Sequence, residues 1–231
     1  MPATSTVRRR TWTTPRNRMT LIFLTGVFAA GSAWSQPLSA DLDADSGARL
    51  PYLTRADLGE EGRRLADIFA RDGQPGDPIA GPLAFAAYNV PVANALLDLH
   101  DGAVGSEHLT ADIRELAILV ASRETNYTLE WNGHLGLAQN VGVAANAIDV
   151  VLNNKPVTGL SDADATVIRF GRELLRERRM SSDTFADALE HFGEHGAMDL
   201  VAVMSTYAVS GFYAIAVDEH PPGQAMLPPL R

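Results

Sequence analysis

The sequence predicts an all-α protein built around a single helical domain. Three observations carry that prediction. From Gly81 onward apolar residues recur at the i, i+3, i+4, i+7 spacing in segment after segment. The segments open at residues that cap helices and close at Gly, Asn or Pro clusters. No alternating strand of any length interrupts them. With 231 residues, 46% of them hydrophobic and 20% charged, the chain can bury one real core.

The elements follow in order. Arg8, Arg9, Arg10, Arg16 and Arg18 precede an apolar run from Met19 to Ala30, and Ala33-Trp34-Ser35 supplies small residues where a signal peptidase reads. Residues 1–35 therefore read as a cleavable signal peptide, with a mature terminus at Gln36 and a periplasmic or secreted product. The run is shorter than the roughly 20 residues a membrane span needs, and no other stretch reads as a span. Residues 36–58 are rich in Asp, Ser, Pro and Ala and read as a flexible leader. A short helix with Leu65, Ile68 and Phe69 on one face is cut off by the breaker cluster Asp72 to Pro78.

The helical domain spans 59–220. Thr110 caps a helix carrying Ile113, Leu116, Ala117 and Val120, and Asn126 caps the next, which runs towards Gly142. Ala145 to Leu152 is shorter. Ser161 opens a helix with Val167, Ile168, Leu174 and Leu175 facing inward, and Ser182 starts another with Phe185 and Leu189. After Gly193 and Gly196 comes a core stripe of Leu200, Val201, Met204, Tyr207 and Gly211. The Pro-rich tail, 221–231, should be extended.

Composition excludes several functions. The chain has no cysteine, which removes disulfides, thiolate metal sites and thiol nucleophiles together. Its formal net charge is −9, and without the arginine-rich start 14 basic residues face 28 acidic ones. So acidic a body is a poor partner for nucleic acid, whose phosphates reward Lys and Arg.

The chemistry gathers between Arg114 and His134. On a helix, Tyr127, Glu130, Trp131 and His134 fall within about 100° of one another. A phenol, a carboxyl, an indole and an imidazole then share a face whose continuation, Ala138 and Val141, is apolar. Buried polar groups must satisfy one another, so the face is either a stabilising network or an active site, and periodicity does not separate the two. Glu115 sits in a helix whose run from Leu116 to Ala121 is apolar all round. A carboxyl placed there is either partly dry, with a raised pKa, or solvated in the first turn.

These residues carry a resemblance. Arg114-Glu115, the apolar run after it, His134, and Ala138 with Gly142 resemble the motif of the carboxymuconolactone decarboxylase family, which includes the alkylhydroperoxidase-D-like proteins. The likeness covers roughly residues 82–217 and implies that family's helical fold. Where the family's peroxidase branch has a C-x-x-C pair, this chain has Tyr127 and Glu130. Thiol peroxidation needs a thiolate and a resolving thiol, so that activity does not carry over. The resemblance instead implies a lyase or isomerase acting on a small lactone or unsaturated carboxylic acid, without metal or cofactor. His134, Glu115, Glu130 and Tyr127 would be catalytic, with Tyr127 donating to a developing enolate oxygen. The alternative is a non-catalytic, small-acid-binding or structural relative.

Arg123, His108 and Trp131 are further candidates for substrate contact. Arg123 could pair a carboxylate, as could Arg114, for which a structural role is the simpler reading. His108 could reach a pocket, and Trp131 could be a platform, although core or interface suits it better. His191 and His195 could ligate a metal with Glu194, but Gly193 between them suggests a helix end, and no metal is expected. A homo-oligomer is expected, because one side of the run from Leu116 to Ala121 should need a second subunit to cover it. The resemblance implies trimers or their multiples, with dimers possible.

Overall fold

The computed structural model describes residues 40–70 and 74–230. The signal-peptide segment, the start of the leader, residues 71–73 around the start of the breaker cluster, and residue 231 lie outside the described residues. Two short helices, α1 (Arg55–Leu58) and α2 (Arg63–Phe69), are followed by a 3-10 turn at Ala86–Tyr88. Then come α3 (Val90–Val104), α4 (Ala111–Glu124), α5 (Thr128–Val141), α6 (Ala145–Leu152) and α7 (Asp162–Gly171). A π-helical turn, Arg172–Glu177, leads to α8 (Ser182–Val217), which breaks at Gly193, where φ is 68°. The described residues form a single all-α domain with no strand.

Helix α4 is the axis of the domain. It packs on α5, α8, α7 and α6, and every residue from Leu116 to Ala121 is at most 1% exposed. This corrects the sequence expectation that one side of the run awaits a second subunit. The chain surrounds α4 with its own helices, so this segment gives no argument for an oligomer. Each large side chain buried there contributes roughly 1.5–3 kcal/mol. Two glycines permit the close approach of the neighbours. A Cβ on Gly171 would collide with Val120, and one on Gly211 would collide with the Thr125 side chain.

By length and apolar content α8 is a helix that could cross a membrane, against the expectation that no stretch past the signal segment reads as a span. Here it is a core helix, with Leu200, Val203, Met204 and Tyr207 packed against α4 and α7. In α2 the buried residues are Leu65 and Ala66, while Ile68 points to solvent, unlike the face expected.

The turn between α4 and α5 differs from expectation in a way that matters for the site. Asn126 does not cap α5. It adopts the left-handed conformation at φ 53° and closes α4, with its own N–H donating to the Arg123 carbonyl and the Tyr127 N–H to the Ser122 carbonyl (2.7 Å). That is a Schellman closure, which asparagine tolerates better than most residues. Tyr127 becomes the extended N-cap of α5. Helices α4 and α5 are thus folded back on each other through a tight turn.

The leader and the tail are packed on the domain. Ser46 and Ala48 are buried, the Arg49 N–H donates to the Val217 carbonyl (2.8 Å), and the His220 N–H donates to the Gly47 carbonyl (2.8 Å). The flexible-leader reading is therefore corrected for the described residues from Ser46 to Leu58. The tail turns at residues 222–223, carries no helix or strand beyond, and docks along α5. The Leu227 N–H donates to Thr128 Oγ1 (3.1 Å), and Asn132 bonds Gln224 at 2.8 Å.

Arg123 ties these parts together. The residue is 2% exposed, and its guanidinium donates to the Leu152 carbonyl (2.8 Å), to Asn126 Oδ1 (2.7 Å) and to the Pro228 carbonyl (2.7 Å). It is thereby fully engaged, and the expectation that it meets substrate is corrected. Burial, the dominant influence on it, lowers its pKa. Arg123→Ala is expected to cost on the order of 3 kcal/mol, because three charge-assisted bonds are lost and buried carbonyls are orphaned. Urea unfolding checks this, and a loss under about 0.5 kcal/mol, typical of surface changes, would contradict it.

Candidate active site

The hairpin of α4 and α5 brings Glu115 and His134 face to face. His134 Nδ1 lies 2.8 Å from Glu115 Oε2, and Nε2 lies 3.6 Å from Glu130 Oε2, one turn earlier on α5. The imidazole is therefore held between two carboxyl groups. The His134 and Glu115 side chains are 17% and 14% exposed, so solvent reaches the cluster at this edge. Leu137 and Val141, both exposed, continue the same face of α5 outward.

Glu130 is the dry member. Desolvation, the largest influence, pushes its pKa up to about 7, against the opposing pull of His134. Glu219 and Glu115 add to the rise, and a hydrogen bond from Ser210 works against it. The contrast between a carboxyl at the solvent edge and a buried one on opposite sides of one imidazole separates their chemical roles. Nδ1 thus faces Glu115 and Nε2 faces Glu130, so each ring nitrogen has a carboxyl partner.

Helix α8 supplies residues that sequence reasoning did not place here. The Tyr207 ring stands edge-on to His134, with centroids 5.0 Å apart and planes at 87°. Its hydroxyl lies 3.3 Å from Nε2 of His100, which comes from α3. Burial raises the Tyr207 pKa, and Glu130 and Glu115 raise it further, so the phenol stays protonated as a donor. Arg114 acts on Tyr207 in the opposite sense. Among the described residues Arg114 makes no ion pair within 4 Å. A tyrosine and a serine inside an otherwise aliphatic stripe were the available sequence sign, since both need polar partners when buried.

Other expected site residues lie apart from this edge. Tyr127, off the helix proper, is buried and turns its hydroxyl towards Glu219 instead of sharing the His134 edge. The enolate-donor role expected of it is corrected on that ground. Trp131 is buried in the main core, which displaces the platform reading. His108 is exposed and stacks on His195, centroids 4.9 Å apart, so it does not reach the cluster. The break at Gly193 separates His191 from His195, and among the described residues no three His, Asp or Glu side chains converge to hold a metal.

Two shallow surface hollows carry none of the cluster residues. One, of about 510 Å³, lies against Arg55, Gly59 and Arg63, and the other, of about 290 Å³, against Gln139, Val143 and Ile148.

Comparison with known proteins adds the fold. The apo structure of the debrominase Bmp8 superposes with a TM-score of 0.58 at 14% identity, covering 75% of this chain and 91% of that one. A variant of Bmp8 in complex with 2,3,4-tribromopyrrole gives 0.56 at 13% identity over the same shares. The fold is the carboxymuconolactone-decarboxylase type. At such identities the likeness concerns architecture alone. No protein-family model and no curated protein matches the chain.

Proposed function

We propose that this chain is a cofactor-free acid–base enzyme acting on a small lactone or unsaturated carboxylic acid, with Glu115 and His134 as its proton-handling pair. The observation that carries this reading is the 2.8 Å contact between Glu115 and His134 Nδ1, with Glu130 at 3.6 Å from the other ring nitrogen. Glu115 orients the imidazole and stabilises its charged form. Nε2 takes and returns the proton, and Glu130, with a pKa of about 7, is the matched acid near neutrality. Tyr207 takes over the enolate-donor role, and Arg114 pairs the substrate carboxylate. In the decarboxylating version the carbon–carbon bond breaks, its electrons remain as a dienolate, carbon dioxide leaves, and His134 protonates the carbon.

With no cysteine in the chain, thiol peroxidation stays excluded. Debromination, named for the structural neighbour, is not carried over, because the likeness is one of fold. Screening the purified protein against lactones and unsaturated carboxylic acids by mass spectrometry tests the reading. Product formation that survives in a Glu115→Gln, His134→Ala double variant would overturn it. The second reading, a non-catalytic relative whose polar face stabilises the domain, is favoured by one observation: Glu115, His134 and Glu130 partner one another with side chains only 14%, 17% and 6% exposed.

Export and assembly belong to the same proposal. The mature protein is expected to begin near Gln36, and an intact Met1 terminus on exported material would contradict that. A second copy of the chain covers the apolar residues α8 leaves at the surface, Phe212 and Ile215, which are 58% and 59% exposed. Light scattering at micromolar concentration reads the oligomer directly, and a monomer would contradict it.

A further inference from the structure

A hydrogen-bonded branch that the mechanism above does not use leads into the cluster from the surface. It begins where Arg64 of α2 holds Asp101 Oδ2 at 2.8 Å. Asp101 Oδ1 lies 3.3 Å from Nδ1 of the adjacent His100, and His100 Nε2 lies 3.3 Å from the Tyr207 hydroxyl. Among the described residues His100 is the hydrogen-bond partner of that hydroxyl. The His100 side chain is 42% exposed and Tyr207 only 3%, so the branch runs from water into the core. There the Tyr207 ring touches two imidazoles. His100 approaches from α3, with centroids 5.9 Å apart and planes at 57°, and His134 from α5, at 5.0 Å and 87°.

We propose that His100, oriented by Asp101, is a positioning residue of the acid–base site that decides where the Tyr207 proton points. A phenol has one proton to donate, and a carboxylate only accepts. Asp101, ion-paired with Arg64, therefore accepts from Nδ1–H of His100, and a neutral His100 meets Tyr207 with a bare Nε2. In that state Tyr207 donates to His100, and its proton is committed to the α3 side. When His100 takes a proton from solvent, Nε2–H becomes the donor and the phenol oxygen the acceptor. The phenol proton is then released for a second acceptor. The inference rests on the acid–base reading for its purpose, since the second acceptor there is the developing enolate oxygen, though not for its test. The groups facing His100 are Asp101 on its own helix, Tyr207 on α8, and Arg64 on α2 acting through Asp101. Of these, the carboxylate favours the charged imidazole.

Histidine-ring ¹⁵N NMR and tyrosine Cζ ¹³C NMR on the purified protein, titrated without substrate from about pH 5 to 8, test this. Tyr207→Phe assigns the Tyr207 carbon, and His100→Gln the His100 nitrogens, each by disappearance. In the wild type the Tyr207 carbon is expected to step at the same midpoint as the His100 ring, because the phenol changes there from donor to acceptor. In His100→Gln, whose amide does not titrate, the step is expected to vanish. Asp101→Asn keeps the imidazole and is expected to move both midpoints down together by roughly 0.2–0.7 pH units, the scale of an exposed ion pair. That variant keeps the test open should His100→Gln fold poorly. A Tyr207 carbon that stays flat while His100 titrates overturns the proposal. So does a step that persists in folded His100→Gln, which would belong to His134, or a Tyr207 midpoint unmoved or raised in Asp101→Asn. The acid–base reading fails differently, by full activity of His134→Ala on an identified substrate, which these titrations do not measure.

Discussion

His134→Ala is expected to lower turnover by roughly 10²–10⁴, the range for a positioned acid or base. The variant removes the group that links Glu115 to Glu130, so both carboxyls lose their common partner at once. The effect should appear mainly in kcat, because the proton transfer occurs in the transition state while substrate binding rests on other groups. The variant should stay folded. His134 lies at the solvent edge, and its packing partner, the Tyr207 ring, remains held in the core. Steady-state kinetics beside a urea unfolding curve check both halves. Full activity, or activity lost only with the fold, would make the polar face scaffolding.

Stability is expected to decline as pH rises from about 4.5 to above 7, where many acidic proteins are at their most stable. Glu130 and Glu219 are each raised from 4.5 to about 7 in the folded chain. Across that window the native state holds protons that the unfolded chain has released, so each rise in pH favours unfolding. One such group alone is worth roughly 3 kcal/mol once pH exceeds both values. Because Glu219 contributes to the rise of Glu130, the two are not independent, and the total falls short of twice that. At the acid end the sign reverses. Asp57, lowered first by its Thr54 side-chain bond, and Asp149, lowered first by Lys155, lose their stabilising contribution as pH falls below the ordinary carboxylate range. Urea midpoints measured from pH 4 to 8 should therefore peak on the acidic side. Glu130→Gln should flatten the decline, and a midpoint that rises steadily to pH 8 would contradict the assignment.

Much of this site is written in local spacing. The Arg114-Glu115 pair before an apolar run, and His134 nineteen residues after Glu115, are enough to pair the two residues once the helices fold back on each other. Tyr127 was misplaced because periodicity assumes a helix that begins at Asn126. The left-handed closure of α4 consumes that residue, and Tyr127 takes the cap position in its place. Arg123 was misread for a different reason. One of its acceptors, the Pro228 carbonyl, lies 105 residues away, and nothing local announces that a tail will dock there. Glu219 follows a helix end among Asp and His, a pattern that ordinarily marks solvent. Only the turn geometry at Asp218 sends it inward. The run from Leu116 to Ala121 was correctly seen as buried on all sides, but the cover comes from α5 to α8 of the same chain.

The central claim is that the Glu115–His134–Glu130 axis moves protons to and from substrate carbon. The most direct measurement is solvent deuterium incorporation. Lactones and unsaturated carboxylic acids are incubated with the protein in D₂O, and carbon-bound deuterium is read by mass spectrometry in wild type and in folded His134→Ala. The account predicts incorporation by the wild type and its loss in the variant. Equal incorporation in both, or none in wild-type protein that demonstrably converts a substrate, would contradict it.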